Sequence, residues 1–172
     1  MYNGRDLLLG GLFLALALAL PVLFHAAGLG NAFLPMFFPI LLAGFFTAPV
    51  VAAAVGFTAP LVSALLTGMP PFFPPIAFIM MLEGLVLGGG PAWLHQKLRW
   101  GVYPALIVTL ILDRLLLFGC VLLAAAWLNL PQGILGAASV VRGIPGIILI
   151  LVIIPPLVKN LAGRLQLLNQ ME

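Results

Sequence analysis

Charge is scarce in this 172-residue sequence: seven Lys and Arg with four Asp and Glu make up only 6% of it. A soluble domain carries about 25%, so a water-solvated globule is excluded. Cysteine is nearly missing. The single Cys120 cannot form an internal disulfide and, lying in an apolar run, reads as a small buried hydrophobe. The two histidines, His25 and His95, fall on opposite faces and, with one distant Cys, cannot complete a coordination shell, so neither metal nor cofactor is expected. No basic cluster exists to hold a nucleic acid. Gly88-Gly-Gly90 lacks the Lys-Ser/Thr of a phosphate-binding loop. The few hydroxyl residues have no partner His at a suitable depth, which speaks against an enzyme.

What fills the sequence instead is apolar: 64% hydrophobic residues and a mean hydropathy of +1.28. At about 20 residues per span, the chain supplies six transmembrane helices in one domain, 1–172, with no room for an ATPase module. Leu7–Phe24 outruns the hydrophobic core of a signal peptide and is read as a retained first span.

One stretch organises the rest, Met69-Pro-Pro-Phe-Phe-Pro-Pro-Ile-Ala-Phe-Ile-Met-Met-Leu-Glu-Gly84. A proline-stiffened aromatic loop runs into an apolar helix with one carboxylate. Backbone groups at membrane depth must find partners, and an ionisable side chain there is costly unless paired or functional. The other segments are therefore read as walls around a site near this loop. In the first of them, Gly11, Ala15 and Ala19 make a small-residue stripe that permits close helix approach. It suits either packing within the protein or docking of another membrane subunit. The second segment, Phe33–Phe46, is short and starts among prolines; the third runs over Val50–Thr67, interrupted at Pro60 and ended by Gly68. The fourth ends near Leu94, loosened by Gly88-Gly-Gly-Pro91, and the fifth covers Val102–Trp127. The sixth begins near Gly136 and ends near Val158, and the tail from Lys159 is read as a separate interfacial helix.

With six spans, Arg5, Lys97, Arg99, Lys159 and Arg164 all fall on one side. The opposite loops (25–32, 68–75 and 128–135) contain no Lys or Arg. The positive-inside rule then places both termini in the cytoplasm and the Met69–Pro75 loop outside.

Four charges lie within spans, Glu83, Asp113, Arg114 and Arg142, and they sum to zero. They are either helix-pinning ion pairs or the polar floor of an outward-facing pocket. Glu83 and Arg114, at similar depth, should pair; Arg142, nearer the outer face, could meet an anionic ligand. Phe33, Met36, Phe37, Phe72, Phe73, Met80 and Trp127 cluster toward the outer side, where core or lipid contact competes with ligand contact for each. His25 is a further ligand candidate, against the plainer reading of an interfacial polar residue.

The chain resembles the substrate-binding S component of energy-coupling factor (ECF) vitamin transporters. The resemblance rests on its size and topology, Ala15-x-x-x-Ala19, Phe33-Leu-Pro-Met36, Pro39-x-Leu-Leu-Ala-Gly44, Gly68-Met-Pro-Pro71, Met81-Leu-Glu83, Asp113-Arg114 and Ile144-Pro-Gly-Ile147. It implies a bilayer protein of a prokaryotic plasma membrane that captures a small vitamin or precursor from outside. It also implies docking through the first span to a transmembrane T component driven by two ATPase subunits. Phe37-Phe38 departs from the more polar residue expected of relatives and tilts the substrate toward something apolar or aromatic. The competing readings are a small intramembrane lipid-modifying enzyme and a structural subunit without ligand.

Overall fold

The computed structural model describes residues 3–26, 34–128 and 143–169, with side chains except at 25, 26, 128 and 164–169. All regular structure among the described residues is helical. In chain order the helices are α1 (Gly4–Ala26), α2 (Phe37–Phe46), α3 (Pro49–Thr67), α4 (Ile76–Pro91), α5 (Val102–Leu128) and α6 (Ile144–Asn169). A π-helical turn, Ala92–Lys97, extends α4. Five of these, α4 taken with its extension, are long and apolar enough to cross a membrane. The sixth, α2, has ten residues; at about 1.5 Å each it covers about half of a hydrocarbon core about 30 Å thick. The chain is an all-α, polytopic membrane protein.

Local chemistry explains most boundaries. Asn3 and Asp6 cap α1 reciprocally, each backbone N–H donating to the other's side chain at 3.0 Å. Pro49 opens α3, where a missing N–H costs nothing. Gly68 closes it with φ 73°, a left-handed conformation that glycine adopts freely. Helical hydroxyls are satisfied locally, Thr47, Thr67 and Thr109 donating to carbonyls one turn back at 2.8 Å.

Three sequence expectations change. Pro60 does not interrupt the third segment: α3 runs unbroken through it from Pro49 to Thr67, with Pro60 buried in the bundle. The Gly88-Gly-Gly-Pro91 run stays helical because its glycines make room for neighbours rather than loosening the chain. A Cβ at Gly88 would collide with the Ala52 backbone, and one at Gly90 would lie 2.8 Å from Thr109 Oγ1. Nor does the chain break after Val158: α6 runs on to Asn169 through the residues expected to form a separate tail. The expected start of the sixth segment near Gly136 lies outside the described residues.

Helix α4 is central and packs against α2, α3 and α5, with its closest partner α3. At that contact Gly56 and Gly84 meet backbone to backbone, each occupying the space a Cβ on the other would need. Helix α1 lies on α2 and α3, and α6 on α5 and α2. At one end of the bundle, Asp6 Oδ1 accepts from Ala48 N–H at 3.1 Å, tying α1 to the start of α3. Gln96 Nε2 donates to the Gly44 and Thr47 carbonyls at 3.0 and 2.7 Å, tying α4 to the end of α2. Lys97 and Arg99 are at this basic end too, as is Lys159, 5.5 Å above the Tyr103 ring. The opposite, loop end carries the Met69–Pro75 segment.

Candidate functional site

The proline loop is held by the last turns of α3. Ser63 Oγ donates to the Met69 carbonyl at 2.7 Å, and Thr67 Oγ1 accepts from Met69 N–H at 3.2 Å. The Met69–Pro70 and Phe73–Pro74 peptide bonds are cis. On its far side the loop caps α4. Ile76 N–H donates to Pro74 O at 2.6 Å, Ala77 N–H to Pro71 O at 3.0 Å and Ile79 N–H to Pro75 O at 3.2 Å. The Ile76 and Ala77 donors would otherwise be left open at a helix N-terminus, whereas the Ile79 bond is the first of the helix itself.

Between this loop, the second half of α1, the Leu34–Phe37 turn and the ends of α3 and α4 lies a cavity of about 580 Å³. Leu18, Pro21 and Val22 wall it on the α1 side, Met36 on the α2 side, and Ile76 and Met80 on the α4 side. Ser63 and Thr67 supply its hydroxyls, and Met69, Pro70 and Pro71 its roof. Pockets of about 300–1,000 Å³, mostly apolar with a few polar groups, are typical small-molecule sites.

The intramembrane charges form a separate cluster. Arg114 Nη2 lies 3.1 Å from Glu83 Oε1, the expected pair. Arg114 also donates from Nε and Nη2 to Asp113 Oδ2 at 3.0 and 2.6 Å. Glu83 and Asp113 are 4% and 0% exposed. Asp113 Oδ1 has no hydrogen-bond partner among the described residues. None of the three lines the cavity.

Of the candidates from the sequence, Met36, Phe37 and Met80 therefore meet at the cavity. Glu83 and Arg114 meet each other. Phe72 leans on Phe78, ring centroids 5.7 Å apart, and Phe73 is 73% exposed; neither lines the cavity. Arg142 and the His25 side chain lie outside the described residues, as does Phe33. The part taken by α1 escaped the sequence reading; Pro21, which lines the cavity, stands inside that helix, and the helix continues past it to Ala26.

The small-residue stripe of α1 faces away from the bundle. Gly11, Ala15 and Ala19 are exposed, and a Cβ on Gly11 would touch nothing within 4 Å. The inward face is Phe13 and Ala17, with Phe13 stacked on Phe46 at 6.4 Å.

Comparison with curated proteins and with solved structures finds no match. The family described as "ECF transporter, substrate-specific component" matches residues 5–158.

Proposed function

The chain belongs to the family of ECF transporter substrate-specific components, and on that premise we propose that it captures a small vitamin or vitamin precursor from outside the cell. The observation that carries this reading is the cavity at the loop end, roofed by a segment pinned to two helices. Ordering such a loop around a ligand loses less entropy than ordering a free one. The basic end faces the cytoplasm, by the bias of Lys and Arg toward that side, and both termini lie with it. The cavity then opens toward the outer leaflet of a prokaryotic plasma membrane.

The exposed stripe of Gly11, Ala15 and Ala19 is the docking face for the transmembrane T component, which two ATPase subunits drive. Small residues turned toward lipid gain nothing from lipid, whereas they allow a second helix to approach closely. The Glu83–Arg114–Asp113 cluster holds α4 against α5 beside the site.

One experiment addresses both halves. The chain is co-expressed with a T component and its ATPases, purified in mild detergent and examined by native mass spectrometry. Wild type should co-purify with the T component and carry a bound small molecule. Ala15→Leu with Ala19→Leu should lose the T component and keep the small molecule. A wild-type chain without any bound small molecule would defeat the capture reading. Unchanged assembly in the double variant would defeat the docking face.

A further inference from the structure

Resting on the capture reading above, we propose that the cargo is an uncharged, ring-bearing, largely apolar molecule whose one polar handle is a hydrogen-bond donor. Four observations converge on this chemistry.

The first concerns charge. No charged side chain lines the cavity among the described residues. The nearest ionic group along α4, Glu83, is occupied by Arg114 at 3.1 Å. Among the described residues, a carboxylate or ammonium taken from water into such a space would find no counter-ion, and burying an unpaired charge is heavily unfavourable.

The second concerns donors. The N-terminus of α4 opens beside the cavity and would ordinarily attract an anion. Its N–H groups at Ile76 and Ala77 are already bound to the Pro74 and Pro71 carbonyls of the proline loop, and Phe78, the remaining first-turn donor, does not line the cavity. Pro21, Pro35, Pro70 and Pro71 line the cavity and have no N–H to give. The Ser63 and Thr67 hydroxyl protons go to backbone carbonyls at 2.7 and 2.8 Å.

The third is what remains once those donors are used. A hydroxyl oxygen has two acceptor lone pairs and a carbonyl has two. The Met69 carbonyl accepts from both hydroxyls and is filled, and Thr67 Oγ1 accepts from Met69 N–H. Ser63 Oγ and the second lone pair of Thr67 Oγ1 thus leave acceptor capacity at one rim of an otherwise apolar space. A ligand N–H or O–H satisfies it, and a ligand carbonyl or carboxylate does not.

The fourth is thioether content. Met36, Met69 and Met80 line the cavity, three of the six methionines in the chain. Methionine adapts its shape and makes favourable contacts between sulfur and aromatic rings. Three around one space favour a ring over an aliphatic chain, and so a small-molecule cargo over a lipid tail.

Three probes that share a ring system separate these claims: 2-naphthol, 2-methoxynaphthalene and 2-naphthoate. Equilibrium dialysis is run on the protein in dimyristoyl phosphatidylcholine nanodiscs. Met80→Trp, which fills the cavity, serves as the blank for partitioning into the bilayer. Val22→Trp, on a wall position that is 59% exposed, is a second blank should Met80→Trp fail to fold. Naphthol should bind saturably to wild type and to neither blank. Naphthoate should bind more than about tenfold more weakly, about 1.4 kcal/mol or more, and methoxynaphthalene should fall between them. Naphthoate equal to naphthol overturns the charge argument, and methoxynaphthalene equal to naphthol overturns the donor handle. Absence of any excess over the blanks overturns the proposal. Native mass spectrometry of the same nanodiscs provides the remaining arm. A phospholipid retained by wild type and lost from the blanks would assign the cavity to an acyl chain. A charged small molecule released from the purified transporter and displaced by Met80→Trp would overturn the cargo class while leaving the capture reading intact.

Discussion

Arg114 is the residue on which the membrane interior of this protein most depends. It is one guanidinium between two buried carboxylates, reaching Glu83 across the α4–α5 contact and Asp113 beside it in sequence. Removing one member of a buried ion pair costs about 3–5 kcal/mol, because the partner stays buried and uncompensated. The two ends of this cluster should differ. Glu83→Gln leaves Arg114 bound to Asp113 and 18% exposed, so its cost belongs at the low end. Arg114→Gln strands two carboxylates, and its cost belongs at the high end or above. Thermal unfolding in detergent should rank the midpoints wild type, Glu83→Gln, Arg114→Gln in descending order. Midpoints equal to wild type would show that the cluster carries no stability. That Glu83 and Arg114 meet was legible in the sequence, because both sit at mid-bilayer depth and an unpaired charge there is costly. That their cluster stands apart from the cavity was not. Depth along a helix can be counted from the residues, but the face a side chain takes depends on which neighbour the helix chooses.

At the scale of elements, glycine spacing divides the helices into two kinds of contact. At Gly56 a Cβ would intrude on the Gly84 backbone, whereas at Gly11 it would meet nothing within 4 Å. Overpacking in a filled core costs about 1–3 kcal/mol, and backbone cannot swing aside as a side chain does. Gly56→Ala should lower the unfolding midpoint of the isolated protein or its yield of folded material. Gly11→Ala should leave both unchanged, and a matching loss at Gly11 would mean that the α1 stripe packs internally after all. Both glycines stand in small-residue patterns that look alike in the sequence, where the α1 stripe suited inward packing and outward docking equally. Only the neighbours of α1 separate the two. The helix boundaries at Pro49, Gly68 and Val102 were legible because proline, left-handed glycine and polar connections act locally. The π-helical turn at Ala92–Lys97 was not, since Gln96 stabilises it through the Gly44 and Thr47 carbonyls, about fifty residues away in sequence.

For the whole molecule, the open question is which end faces out, and the charge asymmetry makes a definite prediction. Lys97, Arg99 and Lys159 gather at one end, while the described part of the loop end carries no Lys or Arg. Aromatic side chains mark both limits of the apolar band: Trp93, Trp100 and Tyr103 are exposed near the basic end, and Trp127 is 86% exposed near the loop end. Trp and Tyr favour the two membrane–water interfaces, so the band between them is the part in contact with hydrocarbon. The single cysteine, Cys120, lies inside that band on α5 and can be replaced by Ala to give a background without thiols. On that background Phe73→Cys, in the loop, and Arg99→Cys, in the basic connection, place one thiol at each end. A membrane-impermeant maleimide applied to intact cells should label Phe73→Cys at once and Arg99→Cys only after permeabilisation. The reverse pattern would invert the orientation and turn the cavity toward the cytoplasm, which is incompatible with capture from outside. Equal labelling of both before permeabilisation would mean that the chain inserts in two orientations, a result the one-sided distribution of Lys and Arg argues against.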